Sequence, residues 1–376
     1  MQTSIIPTPC RSSATGPVGS QTCGGTTKVK RGLHTVPTDH SVGVALIGAG
    51  MIAPSHIKAL SAMGAAVRLS YVVSRSPERA KHLTKYYDGP APHFTSDLEA
   101  VANDPSVQFV IVATPPSVRA DLIRTLAQAG KHILLEKPVG RTLAEAKQVV
   151  DICEREGVTL GVLFQHRARA PSIAATQLIK EENLGPLAHV EISAPLWREQ
   201  SYYDELGRGT YARDGGGVLI TQAIHTIDLA LSFTGPVKSV QAMTMTTDLH
   251  KMEAEDLAVA GLQFVNGAVG TLLASTAIAP QRPETVILHY AQATVTISKD
   301  QLAVSWRDGR NAPLSALPAP DDKFRWHQVL IEDFLSAISQ GHLPEATGHA
   351  ALTSHVLIDA IERSSRLGAR INLDPT

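Results

Sequence analysis

The sequence predicts an α/β protein: an N-terminal doubly wound parallel sheet, then a C-terminal α+β domain with a large, mostly antiparallel sheet. Three observations carry this. From Val42 to Phe164 apolar strand patterns alternate with helical ones, as right-handed βαβ crossovers require. After Arg167 strand patterns follow one another with short connections, which suits neighbouring antiparallel strands. Finally, the first apolar run breaks into Gly48-x-Gly50-x-x-Ala53 and a helical pattern.

The elements follow in order. The run from Val42 ends at Gly48, and a helix is expected over about Met51–Ala62. Val67–Ser74 reads as the second strand and Pro77–Tyr86 as a helix opened by Ser76 and Pro77. A short element begins at Phe94, and Asp97–Ala102 is a helical turn. Val107–Thr114 is apolar throughout, as a strand buried on both faces should be. Ser117–Gln128 is a helix ended by Gly130, His132–Glu136 a strand, Leu143–Arg155 a helix and Val158–Phe164 a strand. In the second domain Ala188–Ala194, Ser239–Thr247, Leu257–Phe264, Ala268–Ser275, Thr285–Tyr290 and Ala293–Ser298 read as strands, with a tight turn at Asn266-Gly267. Amphipathic helices over about Trp326–Ser339 and Ala350–Arg366 close the chain.

Composition excludes several classes. The 376 residues allow two domains, and a net charge of −1 gives no general attraction to nucleic acid or acidic membranes. No apolar run approaches the ~18 residues of a membrane span. Cys10, Cys23 and Cys153 form no disulfide framework, so a reducing, cytoplasmic setting is expected. Residues 1–40 lack acidic groups before Asp39 and show no periodicity. They read as a disordered or organelle-targeting tail, outside domains expected at 41–164 and 165–372.

The chemistry-bearing clusters come next. Gly48 suits a turn too tight for a Cβ, Gly50 lets backbone touch a pyrophosphate, and Ala53 lets helix meet strand; the helix then aims free N–H groups at the anion. A dinucleotide site follows from this. An NAD site carries an acidic residue at the end of the second strand, whereas this strand ends Val72-Val73-Ser74-Arg75-Ser76. Arg75 can grip a 2′-phosphate, so NADP is expected in preference to NAD. Glu136-Lys137-Pro138 falls at the carboxyl end of a strand, where ligands of such sheets bind. A lysine there is either a solvated charge or a pinned functional group. Gly215-Gly216-Gly217 precedes Thr221, Gln222, His225 and Asp228, whose spacings of three and four place Thr221, His225 and Asp228 on one helix face. His225 reads either as a proton carrier or as a core histidine paired with Asp228. Trp197-Arg198, Tyr202-Tyr203 and Arg208 suit a polyhydroxylated or anionic ligand, or equally an oligomer contact. No zinc motif, Walker sequence or G-x-S-x-G is present, and no metal is expected.

Taken together these residues resemble the Gfo/Idh/MocA oxidoreductases. The matching pieces are Gly48-Ala49-Gly50-Met51-Ile52-Ala53-Pro54-Ser55-His56, Ala113-Thr114-Pro115-Pro116, Glu136-Lys137-Pro138, Phe164-Gln165-His166-Arg167 and Gly215-Gly216-Gly217 with His225-Thr226-Ile227-Asp228. The resemblance implies a Rossmann domain, a C-terminal sheet that builds dimers or tetramers, and hydride transfer at a secondary alcohol of a sugar, cyclitol or related ring. It implies that Lys137 holds the reacting oxygen and His225 works as acid/base. It also implies that Gly48, Gly50, Met51, Ile52, Ser74, Arg75, Thr114, Pro115, Glu136 and Gln165 hold the cofactor, with Arg167, Arg198, Thr221, Gln222 and Asp228 on the substrate. Many members carry aspartate where Thr221 stands; Thr221-Gln222 is closer to the nucleotide-sugar and glycoside 3-dehydrogenase branch. Two rival readings keep the fold: redox-assisted glycoside elimination with tightly bound NAD, and a nucleotide-sensing regulator without turnover.

Overall fold

Strand β1 (Val42–Ile47) is buried at all six positions, because a parallel sheet covered by helices on both faces leaves its central strands no contact with water. The computed structural model describes residues 41–310 and 322–373; the expectation of a tail at 1–40 lies outside the described residues. From β1 the chain runs through α1 (Ala53–Ala62), β2 (Val67–Val73), α2 (Pro77–Ala80), β3 (His93–Thr95), α3 (Leu98–Ala102), β4 (Val107–Val112), α4 (Arg119–Gln128), β5 (His132–Glu136), α5 (Leu143–Arg155) and β6 (Leu160–Leu163). The six strands lie in the order β3-β2-β1-β4-β5-β6, so the order reverses between β1 and β4, where ligands of doubly wound sheets bind.

Local chemistry accounts for the boundaries. The Asp97 carboxylate accepts from the Glu99 and Ala100 amides to cap α3, and the Thr142 hydroxyl accepts from the Glu145 amide to cap α5. Gly130, with φ of 74°, ends α4. Two expectations need correction. The helix read over Pro77–Tyr86 is one α-turn followed by a 3₁₀ segment at Lys81–Tyr86, and the Ser76 side chain caps nothing; its hydroxyl lies outside hydrogen-bonding position. The helix after the glycine turn starts at Ala53, with Met51 and Ile52 in a turn.

Beyond β6 a helix absent from the sequence reading, α6 (Ala170–Glu181), precedes β7 (Leu187–Pro195). Its signal was Pro171 in the first turn of an alanine-rich stretch. Then come α7 (Gln200–Tyr203), a π-turn at Leu219–Ala223, α8 (Ile224–Thr234), β8 (Val237–Met245), β9 (Leu257–Phe264), β10 (Val269–Ser275), β11 (Thr285–Tyr290), β12 (Ala293–Ser298) and β13 (Leu302–Trp306). The chain closes with α9 (Lys323–Gln340), α10 (Gly348–Leu367) and β14 (Ile371–Asn372). The second sheet has eight strands ordered β13-β12-β11-β7-β10-β9-β8-β14, antiparallel except for the β7–β10 pair. Strands β13 and β14 were not anticipated; both are short edge strands.

One apolar cluster joins the second sheet to α5, α8 and α10. Another lies under α1 and receives Leu330, Ile331 and Phe334 of α9; the Phe334 ring meets Phe109 of β4 edge-on at 5.5 Å. The chain therefore returns to the first sheet before its last strand, β14, closes one edge of the second. Among the described residues no helix is long and apolar enough to cross a membrane.

Candidate active site

At the carboxyl end of β1 the chain turns through Gly48, whose φ of +111° and close approach to the Ala113 carbonyl exclude a side chain: an added Cβ would lie 2.9 Å from that group. The turn leads into α1, whose first turn carries no acidic residue and no side-chain cap. The backbone amides of Gly50, Met51 and Ile52 find no partner among the described residues. Free amides, a helix N-terminus and a surround without carboxylates fit a pyrophosphate. Around them Gly48, Gly50, Ser74, Arg75, Thr114 and Pro115 line a cavity of about 890 Å³. Arg75, without a hydrogen bond or ion pair among the described residues, sits where no carboxylate stands.

A second cavity, of about 760 Å³, shares Gly50, Thr114 and Pro115 with the first. Met51 and Ile52 edge it, and Glu136, Lys137, Gln165, His166, Thr221 and His225 line it. The strand-end motif is held from below. The buried Arg119 guanidinium donates to the Thr114 carbonyl (2.7 and 2.9 Å) and to the Glu136 and Pro138 carbonyls, stapling the ends of β4 and β5 together. Burial lowers its pKa to about 10. The Lys137–Pro138 peptide is cis. The Glu136 carboxylate is buried, which alone would raise its pKa, yet it accepts from His56 (3.0 Å) and Gln165 (3.2 Å) with His327 at 3.7 Å. Those imidazoles outweigh burial and hold it well below the usual carboxylate range.

Lys137 donates from Nζ to the Thr221 carbonyl at 2.7 Å, across 84 residues of sequence. Burial pushes its pKa down, with Glu136 opposing. The Thr221 hydroxyl turns away, to the Gly217 carbonyl and the Gln222 side chain. His225 stacks on His166 with centroids 4.8 Å apart and meets Phe164 edge-on at 6.1 Å. Its Nδ1 is buried without a partner. Burial first, then the Lys137 charge, drive its pKa well below 6.5, so the ring stays neutral and able to accept a proton. The glycine run is a site of close backbone approach: a Cβ on Gly217 would lie 1.7 Å from the Glu255 carbonyl oxygen, whose carboxylate accepts from the Gly217 and Leu219 amides at 3.0 Å.

Four of the substrate expectations do not converge on this cavity. Arg167 donates twice to Asp228, at 2.7 and 2.8 Å, and once to the Glu345 carbonyl. Asp228 is wholly buried and needs that cation, so it neither pairs with His225 nor reaches a ligand. Arg198 donates to the Trp197 carbonyl and lies over the Tyr202 ring; it does not line the cavity. Gln222 hydrogen-bonds the Tyr202 hydroxyl at 3.3 Å, and Tyr202, with Arg208 over its ring at 4.9 Å, forms the wall instead. Sequence reasoning gave no role to His56, Arg119, His166, Arg169 or His327. His327 approaches Gln165 at 3.1 Å across 162 residues, and no local spacing encodes such a contact.

Residues 42–164 match the family described as "Oxidoreductase family, NAD-binding Rossmann fold", and residues 173–296 match "GFO/IDH/MocA C-terminal domain". The chain belongs to the Gfo/Idh/MocA oxidoreductase family. It is 26% identical over 276 residues to levoglucosan dehydrogenase of Pseudarthrobacter phenanthrenivorans, covering 62% of this chain and 67% of that one. D-apiose dehydrogenase of Paraburkholderia graminis is 25% identical over 345 residues, covering 88% and 89%. Among solved structures, the WlbA dehydrogenase of Bordetella pertussis, in complex with NADH and UDP-GlcNAcA, superposes with a TM-score of 0.78 at 28% identity, covering 90% of this chain and 99% of that one. As a member of Gfo/Idh/MocA the protein is an NAD-binding oxidoreductase, with the six-stranded parallel sheet and mostly antiparallel second sheet expected from the sequence.

Proposed function

We propose that the protein is an NAD(P)-dependent dehydrogenase or reductase acting on a ring secondary alcohol or the matching ketone, in a sugar, nucleotide sugar or cyclitol. One observation carries the reading: a half-buried lysine and a half-buried, neutral histidine face one cavity that adjoins the glycine turn. When bound, the nicotinamide supplies the hydride acceptor or donor. The protein's own part is the proton and the oxygen. His225, neutral because it is desolvated beside Lys137, takes the hydroxyl proton; Lys137 stabilises the developing alkoxide by charge and hydrogen bonding. The Lys137–Thr221 bond pins the ammonium, and the Arg119 staple fixes the strand end that carries it. Preference for NADP belongs to the same proposal, supported by Arg75 and the lack of an acidic partner at Ser74.

The test is a panel of sugars, nucleotide sugars and cyclitols with each oxidised cofactor, followed at the nicotinamide absorbance. Net reduction of cofactor by a ring alcohol is expected; release of a glycosidic leaving group without it would favour the elimination chemistry. NADPH should bind more tightly than NADH, and Ser74→Asp should reverse that order; tighter NADH binding by the unmodified protein rejects the preference. We also propose a homodimer or homotetramer through the outer face of the second sheet, which exposes Met243, Met245 and Val269; sedimentation of a monomer would reject it. A cytoplasmic setting suits the free, buried Cys153, and fractionation of the native host tests it.

A further inference from the structure

Arg169 stands at the start of α6, 7% exposed, in the wall of the catalytic cavity. A guanidinium has five N–H donors, and among the described residues this one makes a single hydrogen bond, to His166 Nε2. Its Nε is buried with no partner. The carboxylates facing it are Glu284, whose nearer oxygen is 3.7 Å away, and Asp300. Glu284 is also engaged by the Thr226 hydroxyl at 2.7 Å. A buried cation with most of its donors unmatched is costly unless something satisfies them.

The surroundings point the same way. The Arg169 guanidinium lies 5.1 Å from the Trp326 ring centroid, and Trp326 is one turn along α9 from Lys323, which also lines the cavity. The first turn of α9 holds no acidic residue. The N-cap residue is Asp322, exposed and capping nothing, and Lys323 and Arg325 follow it against the positive end of the helix dipole, where anions are favoured and cations are not. Lys299, in the turn between β12 and β13, completes the wall, with Asp300 at 3.8 Å. Local cations gather here although the whole chain carries only −1. His166 joins this wall to the reacting centre, since it takes the Arg169 bond and stacks on His225.

We propose that the substrate carries an anionic substituent, a carboxylate or phosphate monoester, bound by Arg169 with Lys323 and Lys299 in support, beside the hydroxyl that lies between Lys137 and His225. The inference rests on the dehydrogenase reading of the same cavity and adds a substrate class to it. Planar, two-donor recognition of such groups is what arginine supplies and lysine does not.

The experiment is calorimetric titration of the NADPH-loaded protein with glucose, glucuronate and glucose 6-phosphate at low and high salt, alongside cofactor reduction assays of the same compounds. At least one charged sugar should bind about tenfold or more tighter than glucose, and that margin should shrink with salt. The arm that binds more tightly separates carboxylate from phosphate. Arg169→Met should remove most of the margin. Lys323→Met, at an exposed position, should keep the fold by circular dichroism and narrow the margin about two- to fivefold. No measurable binding of either charged sugar, equal binding of all three, or an equal loss for all three in Arg169→Met overturns the proposal. Tight charged-sugar binding with no cofactor reduction by any of the three would uphold the anion site and count against the dehydrogenase reading. Turnover of glucose alone would do the reverse.

Discussion

The protonation of His225 depends on its burial and on the charge of Lys137. A desolvated ammonium beside an imidazole keeps the imidazole neutral, and a neutral imidazole is the base that oxidation needs. Lys137→Met should fold and bind cofactor within a few-fold, while turnover falls on the order of 10²-fold or more; an equal loss of cofactor affinity would make the lysine part of the nucleotide site. The acid limb of kcat/KM for oxidation should lie below the ordinary histidine value of about 6.5, because the folded-state pKa of His225 is lowered and the neutral form persists as pH falls. Thr221 lines the same cavity without a charge. Thr221→Asp would place a carboxylate near His225, favour the imidazolium and move that limb to higher pH. A limb that stays put, with an isotope effect showing that chemistry is observed, would mean that position 221 does not sense the base.

Between residue and molecule, the element that governs the site is the segment from Gly215 to α8. The backbone at Gly217 passes so close to Glu255 that any Cβ must displace it. Gly217→Ala should therefore cost at least about 2 kcal/mol and lower the thermal midpoint, with the loss of turnover tracking the loss of folded protein. An unchanged midpoint would show that the segment at Glu255 gives way freely. The glycine run, the strand-end lysine and the helical histidine were legible because each is a local pattern: a backbone restriction, a boundary, a spacing. What was misread depends on who claims a side chain. His225 and Asp228 have the spacing of partners, but Arg167 reaches Asp228 with two donors from 61 residues away. Helix α6 was missed although Pro171 marks its first turn, because the change of pattern after Arg167 was read as strands throughout. Strand patterns in the second sheet were clear where alternation is strict, as in β11 and β12, and faint in the two-residue β14.

At the scale of the whole molecule, the first sheet is not self-sufficient. Leu330, Ile331 and Phe334 of α9 are buried in the cluster that holds Leu46, Ile57 and Leu60, and burial of each contributes about 1.5–3 kcal/mol. A fragment of residues 41–164 should consequently show no cooperative thermal transition and should bind a hydrophobic dye; a sharp two-state melt would show that the sheet stands without α9. The same helix delivers His327 to Gln165 and Glu136, and this has a consequence in time. During synthesis the strand bearing Lys137 emerges long before the helix that completes its support. The 162 residues separating Gln165 from His327 take roughly 8–30 s to translate at ~5–20 residues per second. Catalytic competence therefore arrives late in the life of each new chain, and a ribosome that stalls in the second sheet leaves the first sheet without the helix that both covers it and finishes the reactive centre.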